Sequence, residues 1–193
     1  MRVIRIVLII LVCALAGLWI VQKYRNTQPV EPATLAIEIL PAFTLPDLAD
    51  QPRSITEWSG RSLIINFWAT WCAPCRREMP LLQSLQDERD TGSLQVIGVA
   101  LDNLPDVKRF VTEIGVTYPI LYGEYDASAV AESFGDEFVG LPFSAFIAPG
   151  GEILALLSGE LQAERLRRLI AEMDAVASGQ RSAAQARDRL STD

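Results

Sequence analysis

Cys72 and Cys75, in the segment Trp71-Cys72-Ala73-Pro74-Cys75, are the residues whose type and spacing could carry chemistry in this chain. A thiolate attacks a partner disulfide to give a mixed disulfide, and a second thiol within reach resolves it, becoming oxidised in the process. Two cysteines three positions apart on a helix lie on one face, a turn apart, close enough to bond to each other. The chemistry needs the first sulfur to be anionic. A place at the start of a helix favours that state, because the unpaired N–H groups and the helix dipole stabilise negative charge there. Pro74 falls in the first helical turn, where its missing N–H sacrifices no hydrogen bond, and it stiffens the loop between the sulfurs; a proline there is also an ordinary helix start.

The rest of the composition narrows the chemistry. The chain has no histidine, which removes Cys-His and Ser-His-Asp catalysis, histidine-bearing zinc sites and Cys-x-x-Cys-His haem attachment. A Cys-x-x-Cys pair is also half of a zinc site, but the third cysteine, Cys13, lies far away in an apolar N-terminal run and no second pair completes a metal shell. No metal and no separate cofactor are expected; the redox group is the Cys72–Cys75 pair itself. Net charge is −7, and the four basic residues before position 26 meet no acid, leaving 13 basic against 24 acidic residues, a net −11, for the remainder. An acidic surface repels phosphate backbones, and no basic run interleaved with aromatics is present, so nucleic acid is excluded as a partner.

The elements that must hold the pair follow from periodicity. Leu63 to Ala69 is an apolar, β-rich run that suits a strand covered on both faces, and it ends at the cysteine motif. From Ala73 to about Glu88, Met79, Leu81, Leu82 and Leu85 recur at helical spacing. Leu94 to Leu101 predicts the next strand. A helix follows, with Pro105 in its first turn and Gly115 after its end. Further on, Tyr118 to Leu121 predicts a short strand, Asp126 to Phe134 a helix closed by Gly135, and Phe143 to Ala148 with Glu152 to Leu157 a hairpin about Pro149-Gly150-Gly151; Leu161 to Ala177 is the final helix. Pro41 to Pro52 reads as an irregular or edge-strand lead-in. This order predicts an α/β three-layer sandwich with a central mixed sheet over residues 37–177. The polar tail 178–193 is expected to be frayed or loosely helical.

Several residues near the cysteines have two readings. Glu78, three positions after Cys75, can approach its sulfur because helical side chains lean toward the N-terminus. There it could accept the Cys75 proton. On the residues alone, a solvated glutamate beside Arg76 and Arg77 is favoured, since charged groups on helices usually face water. Asn66, inside the apolar strand, is either a hydrogen-bonding group below the site or a satisfied core amide. Trp68 and Trp71 could shield the sulfurs and form a docking surface, or be core. Leu141-Pro142, just before the strand at Phe143, is a candidate cis peptide, although most X-Pro bonds are trans.

Ile6 to Val21 contains no charge, and with Val3 and Ile4 the run nearly reaches the roughly 20 residues that a spanning helix needs. Residues 1–25 are therefore expected to be a transmembrane anchor. The flanking charges slightly favour an inside N-terminus, and Trp19 and Tyr24 suit an interfacial belt. Ala14-Leu15-Ala16 also has the form of a signal-peptide cleavage site. Val12 before Cys13 argues against a lipoprotein signal. Residues 26–36, with Pro29 and Pro32, read as an extended linker. Either reading of the N-terminus places the folded part outside the cytoplasm.

The long block from Asn66 through Cys75 to Pro80, together with Phe43-Thr44-Leu45-Pro46-Asp47, Gly115-Val116-Thr117-Tyr118-Pro119 and Gly140-Leu141-Pro142, resembles the TlpA/ResA-like branch of the thioredoxin superfamily, from about Pro41 to Ala177. The resemblance implies a thioredoxin fold, with Cys72 as attacking thiol and Cys75 as resolving thiol. It also implies that Glu78 tunes the thiols, that Pro142 is a cis-proline, and that the loop of Leu141 and Pro142 binds an extended substrate segment, to which Trp71 is added as the candidate docking residue beside the motif. Asn66 stands where cytoplasmic thioredoxins resemble one another in having a buried acid. By analogy the chain would be a membrane-anchored reductant, its catalytic domain in the periplasm or on the extracytoplasmic face. It would act on disulfides of secreted proteins, such as apocytochrome c in cytochrome c maturation, and be re-reduced by a transmembrane electron donor. Phe143-Ser144-Ala145 departs from the Thr-Thr-Phe-like continuation of relatives. A net oxidant or isomerase on the same fold, and a non-catalytic assembly module, are the alternatives. A peroxidase is disfavoured because no Pro-x-x-x-Thr-x-x-Cys loop surrounds Cys72.

Overall fold

β-branched and aromatic residues bounded by turn formers build the centre of the molecule. The computed structural model describes residues 37–191 and Gly17. The anchor expected at 1–25 and the linker at 26–36 lie outside the described residues, apart from Gly17. Among the described residues no helix is long and apolar enough to cross a membrane. Strands β3 (Ser62–Trp68) and β4 (Leu94–Ala100) are buried at every position, as a sheet covered on both faces requires. With β5 (Ile120–Tyr122), β6 (Phe143–Ile147) and β7 (Ile153–Ser158) they form one sheet in the order β5-β4-β3-β6-β7. β3, β4 and β5 are parallel, whereas β6 and β7 run antiparallel to their neighbours. The lead-in strands β1 (Thr44–Pro46) and β2 (Pro52–Ser54) pair only with each other, as their terminal prolines predict.

The two faces of the sheet follow from strand alternation. Ile64, Trp68, Val96, Ala100, Ile120 and Phe146 pack with helices α1 (Ala73–Glu88), α2 (Leu104–Ile114) and α4 (Ala163–Ala177). Ile65, Phe67, Ile97, Val99 and Leu121 pack instead with α3 (Tyr125–Glu132) and with Leu45, Ile55 and Trp58. The result is the α/β architecture with a mixed central sheet that periodicity predicts. α2 ends as expected, with Gly115 in the left-handed conformation at φ 73°.

Several boundaries differ from the sequence reading, among them α3, which ends at Glu132 before a separate turn that Gly135 opens. Tyr118 precedes β5 instead of opening it, and the strand starts only after Pro119, whose carbonyl accepts from Gly98 N–H. Leu161 does not begin the last large helix but lies in the loop before it, buried. Of the two states expected for the tail, frayed or loosely helical, the structure shows the helical one, but docked: Ala183–Ser191 forms a further helix, α5. Ala186 is fully buried there, and Arg181 and Arg189 both pair with Glu172 of α4. Nine residues with Leu190 as their one large apolar side chain would not hold a helix in isolation, so docking on α4 and β7 stabilises it.

Candidate active site

β3 delivers the chain to the cysteines through a short, tied turn. Asp102, buried at the end of β4, accepts both the backbone N–H of Thr70 (3.1 Å) and its hydroxyl, while its other oxygen accepts Asn103 N–H at 2.8 Å. Cys72 N–H then closes on Ala69 O at 3.1 Å. Cys72 is the N-cap of α1, and its sulfur accepts Cys75 N–H at 3.3 Å. No acidic residue occupies the first turn, so the helix terminus offers its full partial positive charge to the sulfur. Pro74 lies in that turn.

Cys72 and Cys75 are joined as a disulfide, with Cα atoms 5.3 Å apart. Cys72 retains 5% of its surface and Cys75 none, so a reagent meets Cys72 first. Among the described residues, no three His, Cys, Asp or Glu side chains are grouped as metal ligands would be.

Glu78 is not on a solvated face. It is 1% exposed and points beneath the disulfide helix turn, where Asn66 Nδ2 donates to one carboxyl oxygen at 2.7 Å and Leu161 N–H to the other at 2.6 Å. Of the two arginine neighbours that the residues alone offer it, Arg77 pairs with Glu160 instead and Arg76 lies over the Phe110 ring. Burial pushes the Glu78 carboxyl up to about 7; the bonds from Leu161 and Asn66 oppose that rise, and the charge of Glu160 adds to it. A carboxyl titrating near neutrality, on the same helix face as Cys75, suits proton exchange with a thiol. Asn66 also donates to Ser144 Oγ at 3.0 Å, so its amide crosses from β3 to both α1 and β6.

The Leu141–Pro142 peptide is cis. Phe143 pairs with Phe67, which sets Pro142 beside the end of β3, where the chain turns toward Cys72. Pro142 O accepts Gly159 N–H at 2.8 Å, tying this loop to the one that carries Leu161. The two tryptophans separate: Trp68 is fully buried against Phe110, whereas Trp71 is 71% exposed beside the cysteines. Asp102, Ser144 and the Leu161 N–H are contributors that the sequence reading missed. The first two carry only the weak signal of a polar residue in or after an apolar strand, and a backbone N–H carries none.

A thioredoxin-like α/β domain with a vicinal dithiol pair at a helix start defines a thiol–disulfide oxidoreductase. A sequence model of the AhpC/TSA family matches residues 38–155, and the chain belongs to that family. It is similar to the thiol-disulfide oxidoreductase ResA of Geobacillus thermodenitrificans, 28% identical over 167 residues, which is 86% of this chain and 92% of the relative. Among solved structures it is similar to a thioredoxin-family thiol:disulfide interchange protein from Chlorobium tepidum, with TM-score 0.63 and 26% identity over 72% of this chain and 97% of that one. The thioredoxin domain of a thiol-disulfide oxidoreductase from Bacteroides vulgatus matches with TM-score 0.61 and 25% identity, over 72% and 98% of the two chains.

Proposed function

We propose that this enzyme is a membrane-tethered, extracytoplasmic reductant of protein disulfides. The observation that carries the reading is the buried Glu78 carboxyl on the Cys75 face of α1, held by Asn66 and Leu161. In the reduced protein the Cys72 thiolate attacks one sulfur of a substrate disulfide, forming a mixed disulfide and expelling the other substrate sulfur as thiolate. Cys75 then transfers its proton to Glu78 and attacks Cys72 Sγ. The mixed disulfide breaks, the second substrate thiolate leaves, and two electrons have passed to the substrate. The enzyme is left with the Cys72–Cys75 disulfide, and a transmembrane dithiol donor restores it.

Trp71 and the loop of Leu141 and Pro142 form the surface on which an extended substrate segment lies. The exposed indole and the cis-proline loop at the end of β3 support that assignment. The apolar run Ile6 to Val21 supports a single-pass anchor in the inner membrane, with the catalytic domain in the periplasm. A secreted cysteine protein such as apocytochrome c is the proposed substrate class, as the resemblance of the cysteine block to the TlpA/ResA-like branch implies.

Replacing Cys75 with Ser tests the reading, because it removes the resolving thiol and leaves the attacking one. Substrates should accumulate as mixed disulfides on Cys72, release on addition of reductant, and vanish when Cys72 is also replaced. No trapped partner, or trapping that persists without Cys72, refutes the proposed mechanism. The measured reduction potential fixes the direction of electron flow: a value more oxidising than that of the trapped substrates would make the enzyme an oxidant instead.

A further inference from the structure

Among the described residues, three buried side-chain atoms near Glu78 have no hydrogen-bond partner: Asn66 Oδ1, Trp68 Nε1 and Tyr118 Oη. Their residues are 0%, 0% and 3% exposed, so bulk solvent does not satisfy them. Buried polar groups left unpaired are strongly disfavoured, and three in one neighbourhood point to a shared partner.

The sheet register places them together. Ser144, Asn66, Gly98 and Ile120 form one row across β6, β3, β4 and β5, on the face covered by α1. Gly98 has no side chain, and its neighbours close over it: a Cβ there would stand 2.5 Å from Ile120 Cδ1, 3.0 Å from Trp68 Nε1 and 3.3 Å from the Tyr118 ring, so Trp68 and Tyr118 meet over this glycine. Asn66 uses its amide N–H groups on Glu78 and Ser144, which leaves its carbonyl oxygen as an acceptor. The chemistry is complementary: Trp68 offers a donor, Asn66 an acceptor and Tyr118 both. One water could accept from Trp68 and Tyr118 and donate one proton to Asn66 Oδ1 and the other to the Glu78 carboxylate, four partners being within the range of a buried water. An anion is excluded by the adjacent carboxyl, and a cation would lack further acidic ligands.

We propose that Asn66, Trp68 and Tyr118 hold a buried water beside Glu78, and that Tyr118 acts through it as a positioning residue for the Glu78 carboxylate. The proposal rests on the reading of Glu78 as the acceptor of the Cys75 proton. Burial first, and then the Glu78 charge, hold the Tyr118 phenol in its protonated form, so it remains a donor throughout turnover. The charged or titratable groups that act on Glu78 or share its place are Cys75, one turn earlier on α1, Tyr118 before β5, and Glu160, paired with Arg77, in the loop after β7. Asn66, Trp68 and Ser144 contribute dipoles only.

The test follows reaction of the reduced full-length chain, carrying Cys13→Ser so that only the active-site thiols report, with dithiobis(nitrobenzoate), which releases thionitrobenzoate twice: first on attack by Cys72, then on resolution by Cys75. In Tyr118→Phe the acid limb of the second step should move up by about one pH unit, a tenfold change in proton concentration set by one hydrogen bond to a charged group. The first step should keep its profile. In Glu78→Gln the limb should disappear. If it stays in Glu78→Gln, the assignment of Glu78 fails; if Glu78→Gln removes it while Tyr118→Phe overlies the unaltered enzyme, the water-mediated role alone fails. A purely structural Tyr118 would alter stability without moving the limb. In the unaltered protein, water-selective NMR should show a long-lived water against the Trp68 indole N–H, assigned by its loss in Trp68→Phe. No such contact overturns the proposal even if Tyr118→Phe does not fold.

Discussion

Glu78→Gln should make the oxidised enzyme more resistant to unfolding as pH rises, relative to the unaltered enzyme, which is opposite to what loss of a hydrogen-bonded surface acid does. Burial raises this carboxyl from 4.5 to about 7 in the folded state. A carboxyl with a raised folded value contributes stability below its unfolded value and loses it as pH climbs through the folded one. Each unit is worth about 1.4 kcal/mol, so ionising Glu78 in place costs roughly 3 kcal/mol by pH 8, most of it between about pH 5 and 7. Asp47, Asp106 and Glu160 are lowered by their hydrogen bonds and ion pairs, and their linkage acts in the other direction, at pH below the usual carboxylate range. The window from about pH 5 to 8 therefore belongs to Glu78.

In Glu78→Gln the side-chain carbonyl would still accept the Leu161 N–H, but the new amide group would face the Asn66 donor. That clash lowers stability by about 1–3 kcal/mol at every pH and leaves the slope untouched. The assay is urea unfolding of the disulfide-bonded full-length chain in detergent, without reductant, so that neither Cys72 nor Cys75 titrates. The stability difference between variant and unaltered enzyme should rise by roughly 3 kcal/mol from acid to about pH 8. Parallel curves across that range would refute the burial argument, because a carboxyl that ionises freely has no linkage there.

Two further variants probe the supports of the site. Asp102→Ala leaves the Thr70 N–H and hydroxyl without their acceptor. It should cost about 1–3 kcal/mol in urea unfolding and slow the first thionitrobenzoate release; an unchanged first step would mean that the turn before Cys72 holds its shape unaided. Ala186→Asp puts an unpaired carboxylate where the side chain is fully buried. It should destabilise the protein by on the order of 3 kcal/mol or undock α5, exposing Arg181 and Arg187 to trypsin; cleavage no faster than in the unaltered chain would refute the packing of α5.

The sequence alone determined what depends on near neighbours. The spacing of Cys72 and Cys75, the strand that precedes them, the helix that carries them and the Gly115 cap are set by periodicity and local backbone geometry, which act over a few residues. The cis state of Leu141–Pro142 was legible only as a possibility, because proline makes cis accessible without requiring it. Tertiary structure decided which side chains are buried and what they meet. The sequence offers Glu78 two arginine neighbours and a place on a polar helix, yet its partners are Asn66, 12 residues away, and the Leu161 N–H, 83 residues away. Asp102 reaches Thr70 across 32 positions. Trp68 and Trp71 share a type and a neighbourhood, but one closes the core and the other faces solvent. Helix α5 has too little apolar periodicity to announce itself and forms because α4 and β7 offer it a surface. Desolvation, and the proton affinity it confers on Glu78, come from contacts between distant segments, which only the folded chain brings together.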